Sequence, residues 1–176
     1  DMAGLKMRTM QSQVYVEFMG AMGASATPIA WPELVPALRT GVVDGQENAA
    51  GTVLDGRLYE VQQYMSVNEH VYGFHLILVN DETYSGLTED QRKILHEAVA
   101  LHSELANALK TATDIVAVDS LRELGMEIHV TSPSEKLMFR EVAQPAVVEF
   151  LASEIGAEAV NRVLAAATEA EERLYR

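Results

Sequence analysis

The sequence predicts an α/β fold with a partly parallel sheet and a helical C-terminal third. Strand-length stretches alternate with helix-length stretches along the first 130 residues, an order that builds parallel strands through helical crossovers. A single helical pattern then runs from Thr88 to Leu124 without a Gly or Pro. Beyond residue 130 the patterning is helical to the end.

The elements follow in order. Leu5–Met10 alternates weakly and reads as a strand, with Arg8 in its middle. Val14–Met22 reads as a helix stopped by Gly23. Thr27–Trp31 is a second strand. Pro32 suits a first helical turn; Leu34, Val35 and Leu38 then share a face until Gly41 ends the helix. "VVDG" (residues 42–45) reads as a third strand and its turn, and Val53–Gln63 as a helix. Tyr64–His70 and Tyr72–Asn80 read as strands, the second apolar enough to need cover on both faces. Thr88 is an N-cap with Gln91 at the capping-box position. From there, apolar residues at 94, 98, 101, 105, 108, 112 and 115 step by four and three, until Asp119 breaks the stripe. At 1.5 Å per residue this helix is roughly 50 Å long, more than the roughly 30–35 Å expected across a compact globule of this size. It is therefore expected to span two lobes. Met126–Val130 is the last strand. Helices at Pro133–Glu154, with Pro145 inside, and Ala157–Tyr175 complete the chain.

Composition excludes several classes. Thirteen basic residues face 26 acidic ones, a formal charge of −13, so phosphate-rich nucleic acid is not a partner to expect. An anionic membrane surface is disfavoured for the same reason. There is no cysteine, hence no disulfide, thiolate metal site or cysteine nucleophile. No stretch approaches the ~18 apolar residues of a membrane-spanning helix. The opening "DMAGLKMRTM" has neither the charged start nor the apolar run of a signal peptide, so a fragment or processed chain is expected.

Little in the sequence suggests catalysis. The histidines at 70, 75, 96, 102 and 129 show no metal-binding spacing and read as ordinary surface or capping residues. Ser12, Ser25 and Ser66 lie in no nucleophile elbow. "GAMGAS" (residues 20–25) ends a helix, the wrong end for phosphate. No metal or cofactor is expected. Asp44, beside Gly45, reads as a turn residue, and Glu47 remains open as either a turn or a pocket residue. Arg8 offers a two-point fork for a carboxylate, although an exposed strand arginine is the plainer reading. Trp31, the sole tryptophan, reads as core or rim.

Three stretches carry a resemblance. They are "G-L-K-x-R" at 4–8, "P-x-x-W-x-E-L-x-x-A-L-x-T-G-V-V-D-G-Q-E-N" at 28–48 and "Y-E-V-Q-x-Y" at 59–64. Together they resemble the extracytoplasmic solute-binding proteins of TRAP transporters, the dicarboxylate-binding-protein family, with a match running nearly end to end. The resemblance implies a periplasmic-binding-protein-like lobe with a mixed sheet, a long lobe-spanning helix and a helical C-terminus. Residues 1–73 would form most of the second lobe. Residues 74–112 would belong to the first lobe, and 113–176 would return to the second. Family members are close to twice this length, and their N-terminal lobe has no counterpart here.

The function implied is periplasmic capture of an organic acid and delivery to a TRAP permease, without catalysis. A sensing domain of the same fold is the alternative, and a carboxylate-handling enzyme a weaker one. The family's carboxylate-binding arginine maps to Arg8, its pocket aromatic to Trp31 and its ligand-contacting asparagine to Asn48. Gln11 occupies a frequent pocket position, and Glu47 is expected behind Asn48. The bare apolar strand at 74–79 predicts that the chain by itself associates, carries further N-terminal chain or is poorly soluble.

Overall fold

The computed structural model describes residues 2–174. Strand β1 (Lys6–Thr9) leads into helix α1 (Gln13–Ala21), and β2 (Ser25–Pro28) follows. A single 3₁₀ turn, Trp31–Glu33, opens α2 (Leu34–Arg39). Strand β3 (Gly45–Gln46), helix α3 (Ala50–Asp55), a 3₁₀ turn at Leu58–Glu60 and β4 (Tyr64–Val67) come next. Helix α4 (Asp81–Ser85), the long α5 (Glu89–Glu123), β5 (Glu127–Val130), α6 (Pro133–Ile155) and α7 (Ala157–Leu174) complete the order.

The mixed sheet expected from the sequence takes the form of two small sheets, ordered β2-β1-β3 and β4-β5, and each described pairing is parallel. One core gathers Leu34, Leu38, Val43, Val53 and Leu58 around Leu121 and Met126, so the C-terminal end of α5 is anchored to α2 and α3. A smaller core joins Met7, Met19 and Ala24 between the sheet and α1. The long helix begins at a complete capping box, in which Thr88 accepts from the Gln91 backbone and Gln91 from the Thr88 backbone. Gly125, at φ 95, lets the chain leave it.

Five expectations are corrected. Trp31 does not end a strand: β2 stops at Pro28, and Trp31 starts the 3₁₀ turn. "VVDG" is not the third strand. The amides of Val42 and Val43 donate back to the Ala37 carbonyl and close α2, so the ladder starts only at Gly45. The helix expected at Val53–Gln63 starts earlier and breaks at Gly56, because Arg57 takes a left-handed φ of 53 that no helix continues. The strand expected at Tyr64–His70 ends at Val67. Tyr72–Asn80 forms no strand among the described residues and stays exposed; without a neighbouring strand, an apolar run has nothing to pair with. The expected end of the last helix at Tyr175 lies outside the described residues.

Candidate functional site

The three strands β1–β3 are parallel, so their chains leave the sheet at the same edge. Arg8 stands opposite Thr27 on one side and Gln46 on the other. The segments following these positions therefore converge, as the carboxyl ends of strands do in open α/β sheets. They enclose a recess of about 290 Å³. Arg8, Gln11 and Asn48 supply its polar lining; Met10, Ile29, Ala30 and Trp31 supply its apolar wall.

Arg8 is only 3% exposed. Its Nε donates to the Ile29 carbonyl at 2.8 Å, which fixes the plane of the guanidinium. Among the described residues its two Nη groups donate no hydrogen bond. Burial lowers its pKa from the usual value, and the carboxylate of Glu47 pulls it back up. An arginine so placed remains charged. The Trp31 ring centre is 6.0 Å from Arg8 Cζ, at the outer range of a cation–π contact. Asn48 Nδ2 donates to Gln46 Oε1 at 2.5 Å, so one amide orients the other at the rim.

Glu47 does not line the recess. Its side chain turns inward, largely buried, with Oε2 3.5 Å from His70 Nε2. Asp44 also lies elsewhere: it accepts from the Lys6 backbone at 2.9 Å and ties β3 to the start of β1. Four of the five residues singled out from the sequence thus share one recess, and the fifth sits behind it.

Sequence reasoning passed over Met10, Ile29 and Ala30, small contributors with no pattern of their own. It also misjudged His70, which is not a surface histidine. Its ring stacks on Phe18 at 5.0 Å and 10°, and Nδ1 meets Asn68 Oδ1 at 2.6 Å. Glu69, at φ 52, bends the chain just before it. No periodic signal marks such a residue, because its stacking partner comes from α1 and its facing carboxylate from the segment after β3.

Among proteins of known sequence, the chain is 35% identical over 170 residues to the C4-dicarboxylate-binding periplasmic protein DctP of Rhodobacter capsulatus, covering 96% of this chain and 51% of that protein. It is 30% identical over 165 residues to the sialic acid-binding periplasmic protein SiaP of Vibrio cholerae, covering 94% and 50%. The chain therefore spans about half the length of the curated relatives it matches. Among solved structures, a TRAP periplasmic solute-binding protein from Ochrobactrum anthropi matches with a TM-score of 0.81 at 32% identity, over 99% of this chain and 56% of that one. Another, from a Polaromonas species and bound to D-erythronate, matches at 0.83 and 31%, over 93% and 53%. The model of the bacterial extracellular solute-binding protein family 7 matches residues 1–154. On that extent of match, together with the shared fold, the chain belongs to the bacterial extracellular solute-binding proteins of family 7.

Proposed function

We propose that the protein is the solute-binding component of a TRAP-type transporter, and that it captures an organic acid outside the cytoplasm and passes it to membrane permease subunits. The observation that carries this reading is Arg8: a buried guanidinium, pinned through Nε, at a recess that also holds Gln11 and Asn48. In this reading the free edge of the fork grips a carboxylate. Asn48 and Gln11 add hydrogen bonds, and Trp31 covers the ligand's body. Glu47 cannot donate when ionised; it serves from behind by holding Arg8 and His70 in place. The protein binds and releases its acid without turnover. Relatives whose names specify C4-dicarboxylate and sialic acid, and a structural neighbour bound to D-erythronate, support the ligand class. The described helices include none long and apolar enough to cross a membrane.

The lobe assignment belongs to the same proposal. Residues 1–73 form most of one lobe, 74–112 reach into the other, and 113–174 return. Two features support it. In α5 the buried residues are Ala117 and Leu121, both near its C-terminal end, and the apolar segment before α4 lies exposed.

The test is a calorimetric panel on the protein expressed from its gene, using succinate, malate, pyruvate, gluconate and phenylpyruvate, with mass spectrometry of any acid that copurifies. Saturable, reversible binding of at least one acid supports the reading. A folded protein that binds none and carries none counts against it.

A further inference from the structure

We propose that Gly56 is the seat of Trp31, and that through this seat it selects carboxylates with a flat or branched apolar body. The proposal rests on the carboxylate-binding reading above and goes beyond it by naming what sets the width of the recess. Gly56 is the residue at which α3 stops. A Cβ placed there would lie 3.0 Å from Trp31 Cζ2 and 3.2 Å from Cη2, tighter than ordinary van der Waals contact. It would also lie 3.0 Å from the Thr52 carbonyl oxygen of the preceding turn, as close as the nearer indole atom.

The indole edge thus rests directly on backbone. The same ring lines the recess, with its centre 6.0 Å from Arg8 Cζ. Gly56 does not itself line the recess; it stands behind the wall that does. Any side chain at 56 pushes the ring inward, toward Arg8, and narrows the space beside the carboxylate grip. Trp31 is half exposed at the rim, so it can yield where a core residue would not. The wall it extends is formed, among the described residues, with the apolar Met10, Ile29 and Ala30. A flat or branched apolar body fits such a wall, and a smaller acid leaves part of it uncovered.

The φ of −79 and ψ of 0 at Gly56 are open to any L-residue, but the added methyl of Gly56→Ala also meets the Thr52 carbonyl oxygen at 3.0 Å, so rescue by Trp31→Phe is what separates the ring contact from the backbone one. Gly56→Ala, Trp31→Phe and the double variant are compared with the unaltered protein by titration with pyruvate and phenylpyruvate, acids that share a head and differ in bulk. The ligand-free emission and iodide quenching of Trp31, the only tryptophan, are recorded for the two forms that keep it.

The unaltered protein is expected to bind phenylpyruvate. Gly56→Ala is expected to weaken it by roughly tenfold, about 1.4 kcal/mol, and pyruvate by no more than about twofold. Its emission and quenching shift with the ring. Trp31→Phe in the same background restores most of the loss, because the smaller ring no longer needs the seat. Equal weakening of both acids, an unchanged ratio, absent rescue or unaltered Trp31 emission overturns the proposal. An unaltered protein that binds other acids of the panel but not phenylpyruvate overturns it too, while the carboxylate reading stands. An unaltered protein that binds no acid at all overturns both.

Discussion

Glu47 Oε2 stands 3.5 Å from His70 Nε2, and the His70 ring is itself stacked on Phe18 of α1. The same carboxylate acts on two more groups. It opposes the lowering that burial imposes on Arg8, and it adds to the raising that burial imposes on the Tyr15 phenol. One largely buried charge therefore links β1, α1 and the segment after β4 directly behind the recess. His70 Nε2 is buried and has no hydrogen-bond partner among the described residues, so the facing carboxylate is its nearest compensation.

Glu47→Ala should therefore destabilise the protein even without ligand. It leaves polar groups buried and poorly compensated, at a cost of about 1–3 kcal/mol. A fall of several degrees in melting temperature is expected. In Glu47→Gln, which keeps the volume, the Tyr15 phenol should titrate lower than in the unaltered protein, since the negative neighbour that helps raise it is gone. Burial, the larger cause, remains, so the value should stay above the ordinary one. An NMR titration of labelled tyrosine reads this directly; an unmoved Tyr15 would show that Glu47 exerts no field there.

Arg8→Ala should cost far more in binding than in folding. Truncating one member of a desolvated charge pair costs about 2–5 kcal/mol, roughly 30-fold to several thousand-fold in affinity. Arg8→Lys should recover only part of the loss, because a point charge cannot reproduce the fork. Calorimetric titration with the acid that binds best checks both variants, with melting measured in parallel. Near-unaltered affinity in Arg8→Ala would mean that the carboxylate is held by other groups.

What the sequence made legible was local. The start of α5 was readable because Thr88 and Gln91 cap it within one turn, and its end because Gly125 follows. Arg8 stood out because a strand and a charge are both visible in a single line of residues. The illegible parts depend on partners distant in sequence. The 72–80 segment has the composition of a strand, but pairing is a property of two segments, and among the described residues no second one pairs with it. His70 meets Glu47 and Phe18 from other elements, so no spacing rule applies. Val43 is buried through the closing turn of α2 rather than through the sheet, which placed the start of the apparent third strand three residues early. The contact between Gly56 and Trp31 is a matter of three-dimensional distance alone.

The cap at the N-terminus of α6 should lose its contribution to stability only in strong acid. Glu135 closes a capping box with Ser132: one carboxylate oxygen accepts from the Ser132 amide and hydroxyl at 2.7 Å each, and the other meets His129 Nε2 at 2.9 Å. These bonds, the Ser132 backbone bond first, hold the carboxyl at about 2, below its ordinary 4.5. The depressed value means that the ionised form stabilises the fold above pH 4.5, and that this contribution is lost as pH falls through about 2. Glu135→Gln should melt lower than the unaltered protein at neutral pH, with the gap closing across that window. Melting curves at stepped pH test it. A gap that persists unchanged at pH 2 would show that the cap does not depend on the charge.

The 176-residue chain should self-associate through its bare apolar surface. Tyr72, Phe74, Leu76 and Leu78 are each about four-fifths exposed, at alternate positions of a segment that pairs with nothing among the described residues. Ile94, Leu101, Leu105 and Leu109 add a half-exposed or more exposed stripe along α5. Exposed apolar surface of this extent, joined to unpaired backbone, is what a second copy of the same segment can cover by adding a strand edge to edge. Each apolar side chain so buried contributes about 1.5–3 kcal/mol, and a few of them outweigh the general cost of bringing two chains together. Sedimentation across the micromolar range should show mass rising with concentration. Lysines at the edge oppose such pairing, so Phe74→Lys with Leu78→Lys should shift the chain toward monomer and leave a melting temperature that no longer rises with protein concentration, since neither residue contributes to a core. A chain that sediments as a monomer at every concentration, with a cooperative melt, would mean that this surface is tolerated bare.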